Sequence, residues 1–170
     1  MASASNVLNV KPHKEDVHTG ISAADRKAVA QALSGILTDT YLLVIKSHVY
    51  HWNVVGPLFQ PIHEMTEGHY ENLFRACDEL AERIRALGHP APLTDKRVLA
   101  DGNIAIDKTA PTAGKMVEEL VADHEGLCRK MRECAEMAEK KGDFVTHDLL
   151  TGRLTYHEKA IWMLRAIIAD

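Results

Sequence analysis

The chain lacks most features that mark secreted, membrane-bound or nucleic-acid-coating proteins. Residues 1–20 contain no apolar segment of the kind found in signal peptides, and no apolar run looks long enough to span a bilayer. The net charge is −4, so the chain as a whole does not attract nucleic acid or an anionic membrane. These absences predict a cytoplasmic protein, with nucleoid association as an option and no membrane partner.

Cysteines are few, and they do not form a metal-binding or redox pattern. The chain has 3 cysteines and no CxxC pair. We expect Cys77, Cys128 and Cys134 to be reduced, partly buried helix residues.

Four segments repeat apolar residues at intervals of three and four, and no segment alternates as a strand does. Turn and capping residues set their limits. The predicted helices run from Ser22 to about Val54, from near Phe59 to Gly88, from Thr112 to Gly142 and from Asp143 to about Ile168. The fold class is therefore all-α.

A long connection separates the second predicted helix from the third. It covers residues 88–111, and Thr94–Leu99 is expected to form a short helix within it. Residues 1–20 are polar and are predicted to be a flexible tail. Four long helices and one long connection are typical of a ferritin-like four-helix bundle, here expected over residues 21–170.

The second helix carries four metal-ligating side chains on one stripe. At about 100° per residue, His63, Glu67, Asp78 and Glu82 lie at roughly 0°, 40°, 60° and 100° around the helix. These polar residues occupy a stripe where apolar residues are expected. Burial of their charges would cost free energy unless a bound cation compensated them.

One chain cannot bring these four residues to one metal ion. The pairs His63/Glu67 and Asp78/Glu82 are centred about 22 Å apart along the helix axis. Two such helices packed antiparallel about a two-fold axis would bring the first pair of one chain onto the second pair of the other. His51 precedes Pro57 by as many residues as His63 follows it, so a chain reversal there aligns the two histidines.

Each candidate has an ordinary alternative, because a helical histidine often only packs and i,i+4 acid pairs are common on solvated faces. The combination of two in-phase pairs with His51 favours a metal centre. Imidazole and carboxylate ligands with open positions suit Fe²⁺, although zinc remains a candidate.

Longer motifs carry a resemblance to a known family. The segments HWNVVG, IHEMTEG and DELAERI, with YHEKAIWMLRA near the end, resemble the Dps mini-ferritins, the DNA-binding proteins from starved cells. The resemblance implies a dodecameric shell built from two-fold dimers, which oxidises Fe²⁺, preferably with hydrogen peroxide, at di-iron ferroxidase sites between subunits. It also implies storage of Fe³⁺ inside the shell and protection of DNA from oxidative damage.

The ligands that the family pattern implies are His51, His63 and Glu67 from one subunit with Asp78 and Glu82 from its partner. The commoner family residue at position 67 is Asp, so Glu67 keeps the charge on a side chain one methylene longer. Trp52 resembles the tryptophan that members have beside the site, and packing is an equally good interpretation.

The resemblance also implies a route for iron through the shell. The family lines a three-fold pore from the turn into the last helix, where Glu139, Asp143 and Asp148 lie in this sequence. Phe144 stands where some members have another acid. An ordinary alternative is that Asp143 only caps the helix and the other two are solvated.

Three other functions were weighed against the iron cage. A DNA-condensing nucleoid protein is the main alternative, but the tail is nearly neutral, so weak DNA binding is expected. A di-iron enzyme with two Glu-x-x-His repeats is disfavoured because the only match is Glu15–His18 in the tail. Haem binding is disfavoured because the helix methionines are more simply core residues.

Overall fold

A computed structural model of the chain describes residues 9–92, 102–106, 109 and 111–169. These residues form four helices: α1 (Ala23–Asn53), α2 (Phe59–Ala86), α3 (Ala113–Lys140) and α4 (Phe144–Ile167). The described ranges contain no strand. The prediction of an all-α four-helix bundle is confirmed, whereas the short helix predicted at Thr94–Leu99 lies outside the described residues.

The helices begin and end where the sequence predicts. The backbone N–H of Asp25 donates to the Ser22 hydroxyl at 3.1 Å, and the N–H of Thr146 donates to Asp143 at 2.9 Å. These bonds satisfy N–H groups that the first turn of a helix leaves unpaired. Gly56 has a φ of 93° in the turn between α1 and α2, a conformation that favours glycine.

A ladder of ion pairs fixes the direction of α3 relative to α1. Going along α1, Asp25 pairs with Lys141, Asp39 with Lys130, and Lys46 with Asp123. The residue numbers of the partners fall as those of α1 rise, so the two helices are antiparallel. Because α2 reverses from α1, α3 runs parallel to α2, and the connection between them must return along the bundle.

Residues 102–106 belong to this returning connection. The backbone N–H of Asn103 donates to Asp39 at 2.7 Å, midway along α1, and Ile104 is buried in the core. The length of the connection, which the sequence predicts as the one long connection of a ferritin-like bundle, is therefore required by the topology.

The expectation about apolar runs needs correction for α1, which contains an 18-residue window with a mean hydropathy of 1.5. By length and composition this helix resembles a membrane span. It is apolar on several sides because it packs against both α2 and α3, and 56% of the window is buried inside the bundle. It also carries the buried side chains of Asp39 and Lys46, which pair with α3.

Part of the predicted tail lies against the end of α2. The N–H of Glu15 donates to the carbonyl of Gly88 at 2.9 Å, and the Glu15 carboxylate pairs with Arg85. Gly88 has a φ of 84°, and a Cβ there would lie 2.7 Å from the Glu15 carbonyl oxygen. Residues 1–8 lie outside the described ranges, and flexibility of the tail stays a prediction.

Candidate metal centre

The two predicted histidine ligands lie side by side across the turn between α1 and α2. Nδ1 of His51 donates to the carbonyl oxygen of His63 at 2.9 Å, and Nδ1 of His63 donates to the carbonyl oxygen of His51 at 2.9 Å. The rings are stacked, with centroids 3.7 Å apart and planes 17° apart. The sequence prediction that these two residues lie at one level is confirmed.

These reciprocal bonds set the tautomer of both rings. A carbonyl oxygen can only accept, so each Nδ1 carries a proton, and Nε2 is the ring nitrogen left for a metal ion. Metal-bound histidines commonly donate the other ring nitrogen to a carbonyl in this way. The bonds to the backbone therefore hold both rings at Nδ1 and leave both Nε2 atoms out of these bonds.

Glu67 lies one turn after His63 on α2, and its side chain is exposed. The hydroxyl of Tyr70 donates to Oε1 of Glu67 at 3.3 Å. Tyr70 also packs edge-to-face on His51, with centroids 5.4 Å apart. The ring centroids of Tyr70 and His48 are 3.9 Å apart. His48 in turn stacks on the exposed Trp52, with ring centroids 5.2 Å apart.

Asp78 and Glu82 are exposed residues farther along the same continuous helix. Their spacing from His63 and Glu67 corresponds to about 22 Å along the axis. Within the described part of a single chain, no group of three or more His, Cys, Asp or Glu side chains converges on a metal position. The structure brings His51, His63 and Glu67 to one end of α2 and leaves Asp78 and Glu82 at the other.

Beside Asp78 lies an apolar groove of about 510 Å³. Its walls include Leu37, Tyr41, Phe74 and Pro92. Phe74 is 59% exposed, which is unusual for a large aromatic side chain. This end of α2 therefore presents an uncovered apolar surface next to a ligand candidate.

The three pore candidates occupy different environments. Asp143 is buried, and its carboxylate accepts from Arg83 at 2.6 Å and from the Thr146 hydroxyl at 2.6 Å. Glu139 and Asp148 are exposed, and no hydrogen bond or ion pair holds their carboxylates within the described part of the chain. The capping interpretation is therefore realised for Asp143.

Sequence reasoning missed a cluster of histidines inside the bundle. His69 of α2, His124 of α3 and His157 of α4 are buried. Nδ1 of His124 and Nδ1 of His157 are 2.8 Å apart, a hydrogen bond between two imidazoles. The ring centroids of His69 and His124 are 5.1 Å apart. Each of the three stands in phase with the apolar residues of its helix, which was the available signal.

Burial decides the protonation of this cluster. Loss of solvent lowers the pKa of His69 to about 4 and that of His157 to about 3. Burial also holds the pKa of His124 well below its ordinary value, and neighbouring His157, His69 and Arg153 lower it further. The three rings are therefore neutral at physiological pH.

The cysteines are free and buried, in agreement with the sequence. Burial raises the pKa of Cys77 to about 12 and that of Cys134 to about 11. Because the thiolate is the reactive form, these residues are unreactive core positions.

Comparison with known proteins identifies the family. The model of the ferritin-like domain matches residues 30–170. An uncharacterised low temperature-induced protein of Nostoc is 37% identical over 89% of this chain and 86% of its own length. The DNA protection during starvation protein 2 of Bacillus anthracis is 37% identical over 84% of this chain and 97% of its own.

Solved structures agree with this assignment. The antigen TpF1 of Treponema pallidum superimposes with a TM-score of 0.85 at 31% identity, covering 91% of this chain and 100% of its own. The Dps protein of Vibrio cholerae, described as a ferritin-like diiron-carboxylate protein, has a TM-score of 0.85 at 26% identity, with 95% and 99% covered. This chain belongs to the ferritin-like family and, within it, to the Dps proteins.

Proposed function

We propose that this chain is a ferroxidase that oxidises Fe²⁺ and stores Fe³⁺ inside a dodecameric shell, and so protects DNA from oxidative damage. The observation that carries the proposal is the reciprocal bonding of His51 and His63. It leaves Nε2 of two stacked rings for a metal ion, with Glu67 one helical turn after His63 on α2. Imidazole and carboxylate ligands together suit Fe²⁺.

The remaining ligands come from a second copy of the chain. Asp78 and Glu82 are too far from His63 along α2 to share its metal ion. A two-fold pairing of antiparallel α2 helices brings them onto the histidines of the partner and forms two identical sites per dimer. The exposed groove around Phe74 and Asp78 supports this pairing, because an apolar surface of that kind is typical of an interface.

Within this site, the protein's side chains bind and orient Fe²⁺ as the substrate. Two Fe²⁺, one hydrogen peroxide and two water molecules yield two FeOOH and four protons. Each iron loses one electron, and the peroxide accepts both as its O–O bond breaks. Carboxylate ligands favour the more highly charged Fe³⁺ product, since they are hard oxygen donors.

The direct test measures Fe²⁺ oxidation with one peroxide per two Fe²⁺. We expect His63→Ala to lower the rate at least tenfold, because the site loses one Nε2 ligand. Glu64→Ala is the matched control, since Glu64 is the exposed neighbour of His63 and should leave the rate unchanged. Equal rates for wild type and His63→Ala would refute the proposed ligand set.

The iron route proposed for the shell uses Glu139 and Asp148. Both carboxylates are exposed near the turn between α3 and α4, where a ring of acids would concentrate Fe²⁺. Asp143 is assigned a structural role instead, because Arg83 and Thr146 occupy its carboxylate.

DNA binding is the second candidate function, since the name of the Bacillus anthracis relative describes it as a DNA protection protein. The net charge of −4 opposes it, because affinity for phosphates depends on the cations that a protein presents. We therefore propose that protection of DNA comes mainly from removal of Fe²⁺ and peroxide.

A further inference from the structure

Tyr70 contacts predicted ligands on both helices that flank the turn. Its hydroxyl donates to Glu67 on α2, and its ring packs edge-to-face with the ring of His51 on α1. Tyr70 thus touches one carboxylate ligand and one imidazole ligand. None of the ligand positions predicted from the sequence includes it.

The position of Tyr70 is itself held by an aromatic stack. The ring centroids of Tyr70 and His48 are 3.9 Å apart. The rings of His48 and Trp52 are stacked, with an angle of 12° between their planes. His48 and Trp52 lie one turn apart on α1, so this stack fixes Tyr70 of α2 against α1. A side chain braced in this way can orient its neighbours.

Glu67 needs such an orienting contact more than an aspartate would. It is exposed, and it has one more rotatable bond, which must be ordered when the carboxylate binds a metal. His51 and His63 are already fixed by carbonyl bonds at Nδ1. The Tyr70 hydroxyl provides the only hydrogen bond to the Glu67 carboxylate within the described residues.

We propose that Tyr70 is a positioning residue of the ferroxidase site, which holds Glu67 and His51 in the geometry that binds the first metal ion. This inference rests on the proposed function. Its effect is exerted through the ligands, so it should appear mainly in metal affinity and KM for Fe²⁺, with a smaller effect on kcat.

The test uses the assembled protein freed of iron, with Co²⁺ as a spectroscopic probe of binding. Tyr70→Phe keeps the ring contacts with His51 and His48 but removes the bond to Glu67. We expect the Kd for Co²⁺ to rise about tenfold, since loss of a hydrogen-bond partner of a metal ligand commonly lowers metal affinity 10- to 100-fold. The KM for Fe²⁺ should rise by a similar factor.

Two further variants make the result specific. Tyr156→Phe also removes a phenol oxygen, in α4 and away from the ligands, and should leave the Co²⁺ Kd unchanged. Tyr70→Leu removes the ring as well and should weaken Co²⁺ binding further while the particle mass stays that of the wild-type assembly. An intact particle in which Tyr70→Phe binds Co²⁺ as wild type does would overturn the proposal.

His63→Ala separates failure of this inference from failure of the proposed function. If His63→Ala abolishes Co²⁺ binding and Tyr70→Phe does not alter it, the metal centre stands and only the role of Tyr70 is wrong. If neither variant changes Co²⁺ binding, the metal centre itself lies elsewhere.

Discussion

Two aspartates near the turn into α4 serve different purposes. Asp143 is buried and accepts bonds from Arg83 and Thr146, while Asp148 is exposed. Burial alone would raise the pKa of Asp143, but the bonds from Thr146 and Arg83 outweigh it, and the pKa is lowered. Asp143 therefore stabilises the folded chain as a carboxylate.

Replacing Asp143 with Ala should destabilise the subunit by about 3 kcal/mol. The change removes an N-cap and takes the carboxylate partner from the Arg83 guanidinium, which is 15% exposed. Urea denaturation of Asp143→Ala measures this loss, with Asp148→Ala as the control expected to match wild type. Equal stability of the two variants would contradict the assignment.

The same bonds predict a pH dependence. A carboxylate with a lowered folded pKa stabilises the fold above its unfolded pKa, near 4, and that contribution is lost as the pH falls through the folded pKa. The stability difference between wild type and Asp143→Ala should therefore shrink below about pH 4.

Residue spacing was enough to predict that His51 and His63 meet, because they are symmetric about Pro57. It could not predict the exchange of Nδ1 bonds between them, which depends on the backbone path through Gly56 and its φ of 93°. The contact of Tyr70 with Glu67 was equally out of reach, since i,i+3 spacing alone does not choose a rotamer.

Helix positions were predictable because periodicity and caps act locally. The phase of apolar residues also placed His69, His124 and His157 on core-facing stripes, yet their meeting in one cluster depends on how three helices pack. The charge ladder from Asp25 to Lys46 was likewise hidden, since its partners lie far away in sequence.

The bonded pair His124–His157 should make the bundle sensitive to acid. Both rings have a lowered pKa in the folded state and regain an ordinary value of about 6.5 on unfolding. The unfolded chain therefore binds more protons below about pH 6.5, and stability falls as the pH falls. Two such groups cost about 3 kcal/mol per pH unit in this range.

Urea denaturation at several values between about pH 5 and 7 measures the effect. A double variant, His124→Leu with His157→Phe, should show a flatter dependence on pH than wild type, because it lacks both titrating rings. Parallel curves for the two proteins would show that the pair does not titrate in this way.

The charge of the whole assembly bears on its relation to DNA. In the proposed shell, twelve copies of an acidic chain would repel phosphate, and the exposed residues 9–20 include both acidic and basic side chains. We expect no retardation of DNA at neutral pH and moderate salt, because this balance of charges leaves few cations for the phosphates.

The electrophoretic mobility of DNA mixed with the assembled protein measures this prediction. Tight binding at neutral pH that resists salt would show that DNA contacts are a primary function.

Iron uptake tests the proposed route through the shell. Asp148→Asn removes a charge from each acidic ring and should slow uptake severalfold at low Fe²⁺, with particle mass and stability unchanged. The rate of Fe²⁺ oxidation under limiting iron is the measurement. Unchanged uptake would move the route elsewhere in the shell.

Each proposed ferroxidase site is shared between two chains, and a pair of complementary variants can test this. One variant, His51→Ala/His63→Ala, keeps the acids, and a second, Asp78→Asn/Glu82→Gln, keeps the histidines. Each alone should be inactive. A mixed dimer of the two contains one complete site and one that lacks both halves.

Peroxide-dependent Fe²⁺ oxidation by assemblies of the two variants in equal amounts is the most direct measurement. Random pairing makes about half of the dimers mixed, so we predict recovery of about one quarter of the wild-type rate. Differential tagging confirms that mixed dimers have formed. If these mixed dimers recover no activity, a site formed by both chains is contradicted.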